Sequence, residues 1–103
     1  MTKPVLILDP DWRQMDELFS PKAQADLRDR YDIVWGQEGA IPDAVHDSAL
    51  PDAEILIAAT PRISAETLTK APKLKTVIEV SGAFPPSIDY PACFAAGVEV
   101  LSC

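Results

Sequence analysis

Val5-Leu6-Ile7-Leu8 and Ile55-Leu56-Ile57-Ala58-Ala59 are unbroken aliphatic runs, without the polar-apolar alternation of a strand that faces water on one side. A strand of this kind needs cover on both faces, which places it inside a sheet flanked by helices. Three further runs, Asp32-Ile33-Val34-Trp35, Leu74 to Val80 and Val98 to Leu101, read as strands two, four and five. Helical stretches stand between them. Trp12 to Phe19 is one, and a second starts at Pro21 behind the cap residue Ser20, with Leu18, Ala25 and Leu27 expected to face inward. Pro42 to Leu50 follows, then a helix capped by Ser64 that carries Leu68 and Ala71, then Tyr90 to Ala96 behind Asp89. Gly97 suits the left-handed position that closes the last of these. Regular alternation of strand and helix predicts an α/β, doubly wound, five-stranded parallel sheet with right-handed crossovers, order 2-1-3-4-5 and helices on both faces.

The chain of 103 residues, 48% hydrophobic and 24% charged, is sized for one domain, 1–103, with a single core. Nine basic against sixteen acidic side chains give a formal net charge of −7, which opposes approach to a phosphate backbone or an anionic lipid surface; neither nucleic acid nor membrane is expected as a partner. Its apolar runs fall well below the ~20 residues that cross a bilayer. Asp9 and Asp11 interrupt the only early apolar run, so it is not read as a signal peptide. Cys93 and Cys103 have neither a metal-type spacing nor partner histidines, which points to a reduced, cytoplasmic setting.

In sheets of this type ligands collect outside the carboxyl ends of the strands. Four loops qualify: Asp9-Pro10-Asp11-Trp12, Gly36-Gln37-Glu38-Gly39, Thr60-Pro61-Arg62 and Ser81-Gly82-Ala83-Phe84. Asp9 and Asp11 would suit a divalent cation in a signalling receiver, but that role also needs an aspartate ending the third strand and a lysine ending the fifth, where Ala59-Thr60 and Leu101-Ser102-Cys103 stand; a helix cap is the preferred reading. Thr60 and Arg62 together suit an anion, or Arg62 is simply solvated. Gly82 directly after a buried strand lets backbone N–H groups approach a ligand, though a tight turn also explains it. His46, the only histidine, falls mid-helix and reads as a surface residue, while Cys93 reads as a buried apolar side chain and not a nucleophile. Trp12, Trp35, Phe84 and Phe94 read as packing residues. No catalytic or metal-ligating residue is expected.

From Ile55 to Val100 the order of motifs resembles the N-terminal, substrate-binding domain of the D-isomer-specific 2-hydroxyacid dehydrogenases, and hence a flavodoxin-like fold. The residues that carry it are Ala71-Pro72-Lys73-Leu74-Lys75 leading into a strand, the loop at Gly82, Ile88-Asp89, and Gly97-Val98-Glu99-Val100. The first half agrees only in layout. The resemblance implies that backbone amides of Ser81, Gly82 and Ala83 bind a substrate carboxylate and that Ala59-Thr60-Pro61 forms another wall. Where the family loop has a second glycine this sequence has Phe84, which would reshape the pocket. It further implies a small 2-hydroxy or 2-oxo acid as ligand, and NAD or NADP as cofactor of the intact protein. The cofactor is not bound by this chain alone, because a nicotinamide-binding Rossmann domain is expected beyond it. No Gly-x-Gly-x-x-Gly turn stands in these residues, so this piece by itself is expected to be inactive. Apolar surface left by the missing cofactor domain would favour self-association into a homodimer. The alternative is a freestanding flavodoxin-like binding or signalling module.

Overall fold

The computed structural model describes residues 3–81 and 87–102. Ten elements alternate along it: β1 (Val5–Asp9), α1 (Met15–Leu18), α2 (Pro21–Arg30), β2 (Asp32–Trp35), α3 (Asp43–Ala49), β3 (Ala53–Ala58), α4 (Ala65–Lys70), β4 (Thr76–Glu79), α5 (Tyr90–Ala95) and β5 (Glu99–Ser102). The strands form one sheet in the order β2-β1-β3-β4-β5, as the sequence alternation predicts. All the pairings are parallel: Leu6 sits opposite Ile33 on one side and Ile55 on the other, Ile57 opposite Ile78, and Glu79 opposite Ser102. β1 and β3 therefore lie at the centre, which is why their sequences lack alternation.

Successive side chains of a strand point to opposite faces, and two apolar clusters result. Leu6, Leu8, Ile57, Ala59 and Val80 gather on the face of α1 and α2, with Met15, Leu18 and Leu27. Ile7, Leu56, Ala58 and Val77 gather on the other, with Leu50, Leu68, Ile88 and Cys93 from α3, α4, α5 and their connections. The first face is less completely covered: Leu18, Phe19, Ile57, Ile78 and Val80 line an open groove of about 290 Å³, and Leu101 beside it is 43% exposed.

Local chemistry sets the helix ends. The Ser20 hydroxyl accepts the Ala23 N–H at 3.2 Å, Asp89 accepts that of Ala92 at 3.1 Å, and Ser64 and Thr67 each accept the other's backbone N–H at 3.2 Å. Gly97 takes φ +75 behind α5. Two expectations need correction. Ala25 is exposed, because the inward stripe of α2 runs Ala23-Leu27-Tyr31 at four-residue spacing and Ala25 falls between its members. The first helix starts at Met15 and not at Trp12, since Asp11 adopts φ 52 and Arg13 N–H closes a turn onto Pro10 O at 2.8 Å.

Gly36, just past β2, is a position where only glycine fits. Its φ is +58, and a Cβ there would lie 2.6 Å from Ile33 Cγ2. Its N–H donates to Leu8 O at 3.0 Å and its carbonyl accepts Arg28 Nη2 at 3.0 Å, so the segment cannot shift without breaking both bonds. Gly36→Ala is expected to destabilise the domain by about 1–3 kcal/mol, read from urea midpoints at unchanged m-value. An unaltered midpoint would show that the turn relaxes.

Candidate functional site

The loops behind β1, β3 and β4 meet at the carboxyl edge of the sheet. The connection after β1 does the bridging: Trp12 Nε1 donates to Thr60 Oγ1 at 3.1 Å, and Arg13 Nη1 donates to Val80 O at 2.6 Å. The Arg13 guanidinium lies 5.6 Å from the centre of the Trp12 ring, a cation–π contact that stiffens the pair. Trp12 is 60% exposed and forms part of this rim, and Phe94 on α5 is 88% exposed; neither packs inside as expected, because each stands on a face that nothing among the described residues covers.

Asp9 and Asp11 do not cap a helix. The N-cap of α1 is Gln14, Asp9 Oδ1 accepts the Ile41 N–H at 3.0 Å, and Asp11 forms an isolated antiparallel bridge with Gly39. Together they tie the loop after β1 to the loop after β2. Among the described residues no group of His, Cys, Asp and Glu is arranged to hold a metal ion. Burial raises the Asp9 carboxyl above its ordinary 3.8, with Asp11 adding to it, while the Ile41 hydrogen bond and His46 act in the opposite direction. A carboxyl raised in the folded state favours folding most when protonated. Its contribution is complete below the unfolded value and is lost as pH rises through the folded one. Asp9→Asn, which keeps the oxygen that accepts the Ile41 N–H, is therefore expected to gain stability relative to the wild type as pH rises from 3.8 to neutrality. A difference in urea midpoints that stays flat over that range would contradict this.

Of the residues singled out in the sequence, Ala59 is fully buried among Leu6 and Leu8, with its N–H on Asp9 O at 3.2 Å; it meets the rim through its backbone. Thr60 is exposed, its hydroxyl turned to Trp12. Arg62 is not gathered with Thr60 but pairs with Asp43 Oδ1 on α3 at 3.0 Å, both side chains largely in water. Ser81 sits at the start of the last loop, its N–H given to Glu79 Oε2 at 3.1 Å and its hydroxyl to the same oxygen. Gly82, Ala83 and Phe84 lie outside the described residues. The chain's return at Ser87 is held beside the loop after β3, for Ser87 Oγ donates to Pro61 O at 2.6 Å and the Ile63 N–H to Ser87 O at 3.0 Å. Both flanks of residues 82–86 are thus pinned at the rim, one to β4 and one to Pro61-Ile63.

Cys93 is buried as expected, and burial, then Asp89, raises its thiol, which keeps it from acting as a thiolate. His46 departs from expectation: its side chain is mostly buried against α3's surroundings, with Nδ1 3.2 Å from Asp47 Oδ1. Sequence reasoning missed three residues here. Arg13 and Trp12 gave no signal of their reach across the sheet, whereas Glu79 did leave one, a lone acid in the otherwise apolar Val77-Ile78-Glu79-Val80.

No family model and no curated protein matches the chain. Solved structures do. A phosphoglycerate oxidoreductase from Rhizobium etli is 31% identical, with a TM-score of 0.80 over 97% of this chain and 30% of its own. A protein described as an NAD-binding D-isomer specific 2-hydroxyacid dehydrogenase, from Polaromonas sp., is 25% identical, with a TM-score of 0.66 over 95% of this chain and 29% of its own. A D-lactate dehydrogenase from Aquifex aeolicus, complexed with NAD and lactic acid, shares the fold at 23% identity and a TM-score of 0.64. The chain spans about 30% of the length of the first of these relatives.

Proposed function

We propose, on the premise that this chain is similar throughout to one part of the D-isomer-specific 2-hydroxyacid dehydrogenases, that it is their kind of substrate-binding domain. The intact protein would be an NAD(P)-dependent oxidoreductase of D-2-hydroxy and 2-oxo acids. The observation that carries this reading is the 31% identity to a phosphoglycerate oxidoreductase over 97% of the chain. The rim supports it, because the loops of β1, β3 and β4 are cross-tied around the start and end of residues 82–86.

Within this reading the domain supplies position and not chemistry. Backbone amides after Ser81, at Gly82 and Ala83, receive the substrate carboxylate. Both Ser81 donors already face Glu79, so the anion falls to the residues beyond it. Ala59, Thr60 and Pro61 form the facing wall, and Phe84, where the family loop has a second glycine, reshapes the pocket. Oriented backbone N–H groups suit this task, as they bind a carboxylate without the reorganisation that a long cationic side chain needs. The residues of this chain do not fit the nicotinamide cofactor. No Gly-x-Gly-x-x-Gly turn stands in the sequence to take its pyrophosphate, so the cofactor belongs to another segment of the intact protein. Closure against that segment would exclude water from the acid held at the rim. No helix of the described residues is long and apolar enough to cross a membrane, and a reduced cytoplasmic setting accords with the buried free thiol of Cys93.

The test is an assay of the intact gene product for NADH or NADPH oxidation with glyoxylate, hydroxypyruvate and pyruvate. Turnover with at least one is expected. Silence with all three, from a folded protein that retains nicotinamide binding, would overturn the reading in favour of a binding or signalling module.

A further inference from the structure

Glu79, the last residue of β4, is 0% exposed. A carboxyl is tolerated at such depth only where donors meet it. The Ser81 N–H and hydroxyl both donate to Oε2, and the Ser102 hydroxyl, from the last residue of β5, donates to Oε1. One buried side chain thus joins the exits of two neighbouring strands, opposite one another in register.

We propose that Glu79 is a positioning residue for substrate: by holding the Ser81 N–H two residues ahead of it, it fixes the direction in which the chain leaves β4 for the rim. The inference rests on the reading of the rim given above. The β4–β5 backbone ladder runs without the carboxyl, so the two strands stay paired when an apolar residue of similar size replaces it. What such a residue lacks is an acceptor for Ser81. Loss of the acceptor removes the tie of the Ser81 N–H to β4 while the sheet stays whole, and the consequence falls on substrate affinity and not on the fold.

Glu79→Leu, Glu79→Gln and Ser102→Ala separate these roles, read by amide hydrogen exchange at Ser81 in the 103-residue chain and by steady-state kinetics of the intact protein with its best 2-oxo acid. Glu79→Leu is expected to fold, to speed Ser81 exchange at least about tenfold, and to raise KM at least about tenfold while kcat changes less than about threefold. Glu79→Gln restores both values to within about threefold of wild type, since its amide oxygen accepts both Ser81 donors and the Ser102 hydroxyl turns to accept from its nitrogen. A folded Glu79→Leu protein with unchanged Ser81 exchange, or with unchanged KM, overturns the proposal. Should Glu79→Leu not fold, Ser102→Ala decides: it leaves the carboxyl in place but releases Oε1, the hold that aims Oε2 at Ser81, so in a folded protein it must speed Ser81 exchange, an unchanged rate being fatal. A wild-type protein inactive with every 2-oxo acid removes the reading beneath the proposal and overturns its substrate half. Ser81 exchange still decides by itself whether Glu79 sets the strand exit.

Discussion

Leu56→Ala lowers the stability of the domain by about 3 kcal/mol, the largest loss expected from any single truncation in the sheet. Leu56 is 1% exposed on β3, between Ile7 of β1 and Val77 of β4, and belongs to the cluster that α3, α4 and α5 cover. Removal of its branched end loses the transfer free energy of the missing carbons and leaves a cavity that two paired neighbouring strands cannot collapse to fill. In a domain of this size the same loss lowers Tm by about 10–20 °C. Leu101→Ala supplies the control. Its side chain is 43% exposed at the sheet margin, and the expected change is below about 0.5 kcal/mol. Equal effects at the two positions in a thermal melt would show that the Leu101 margin of the less covered face is buried in solution.

On the proposed reading of the rim, Gly82→Val is expected to raise KM for the 2-oxo acid at least about tenfold in the intact protein, about 1.4 kcal/mol of binding, while the domain stays folded. Only a glycine lets the main chain approach a bound carboxylate without a Cβ between them, and valine adds two methyl groups on a stiff, branched carbon. The two residues that flank this segment, Ser81 and Ser87, are held by Glu79 and by Pro61 and Ile63. Circular dichroism of the variant reports whether the fold survives. An unchanged KM in a folded variant would show that the carboxylate is received elsewhere.

The candidate site was legible in the sequence only in outline. The positions of the loops followed from strand ends, and Gly82 stood out because a glycine after a buried strand has few explanations. The ties between loops were not legible. Trp12 and Thr60, or Arg13 and Val80, are joined by hydrogen bonds across 48 and 67 residues of sequence, and nothing in local spacing encodes which of several exposed side chains will meet. Asp9 shows the same limit in reverse. Its type and place suited a helix cap, yet the left-handed turn at Asp11 delayed the helix and left its carboxylate to the Ile41 N–H. Glu79 stands in the sequence as a lone acid in an apolar run, but its tie to Ser102, 23 residues later, comes only through the β4–β5 register.

What the sequence by itself determined was the architecture: unbroken aliphatic runs demand burial on both faces, and their alternation with capped helices leaves few ways to stack them, so the parallel sheet and its strand order followed. The caps at Ser20, Ser64 and Asp89 were determined too, because a cap is a contact between residues three apart. Only the tertiary structure decided which polar groups share an environment. That depends on register and on loop direction, small backbone rotations that bring distant side chains within hydrogen-bond reach and that no local pattern records. The buried carboxyl of Glu79 under two serines and the cross-tied rim of Trp12, Arg13, Thr60 and Val80 are both of this kind.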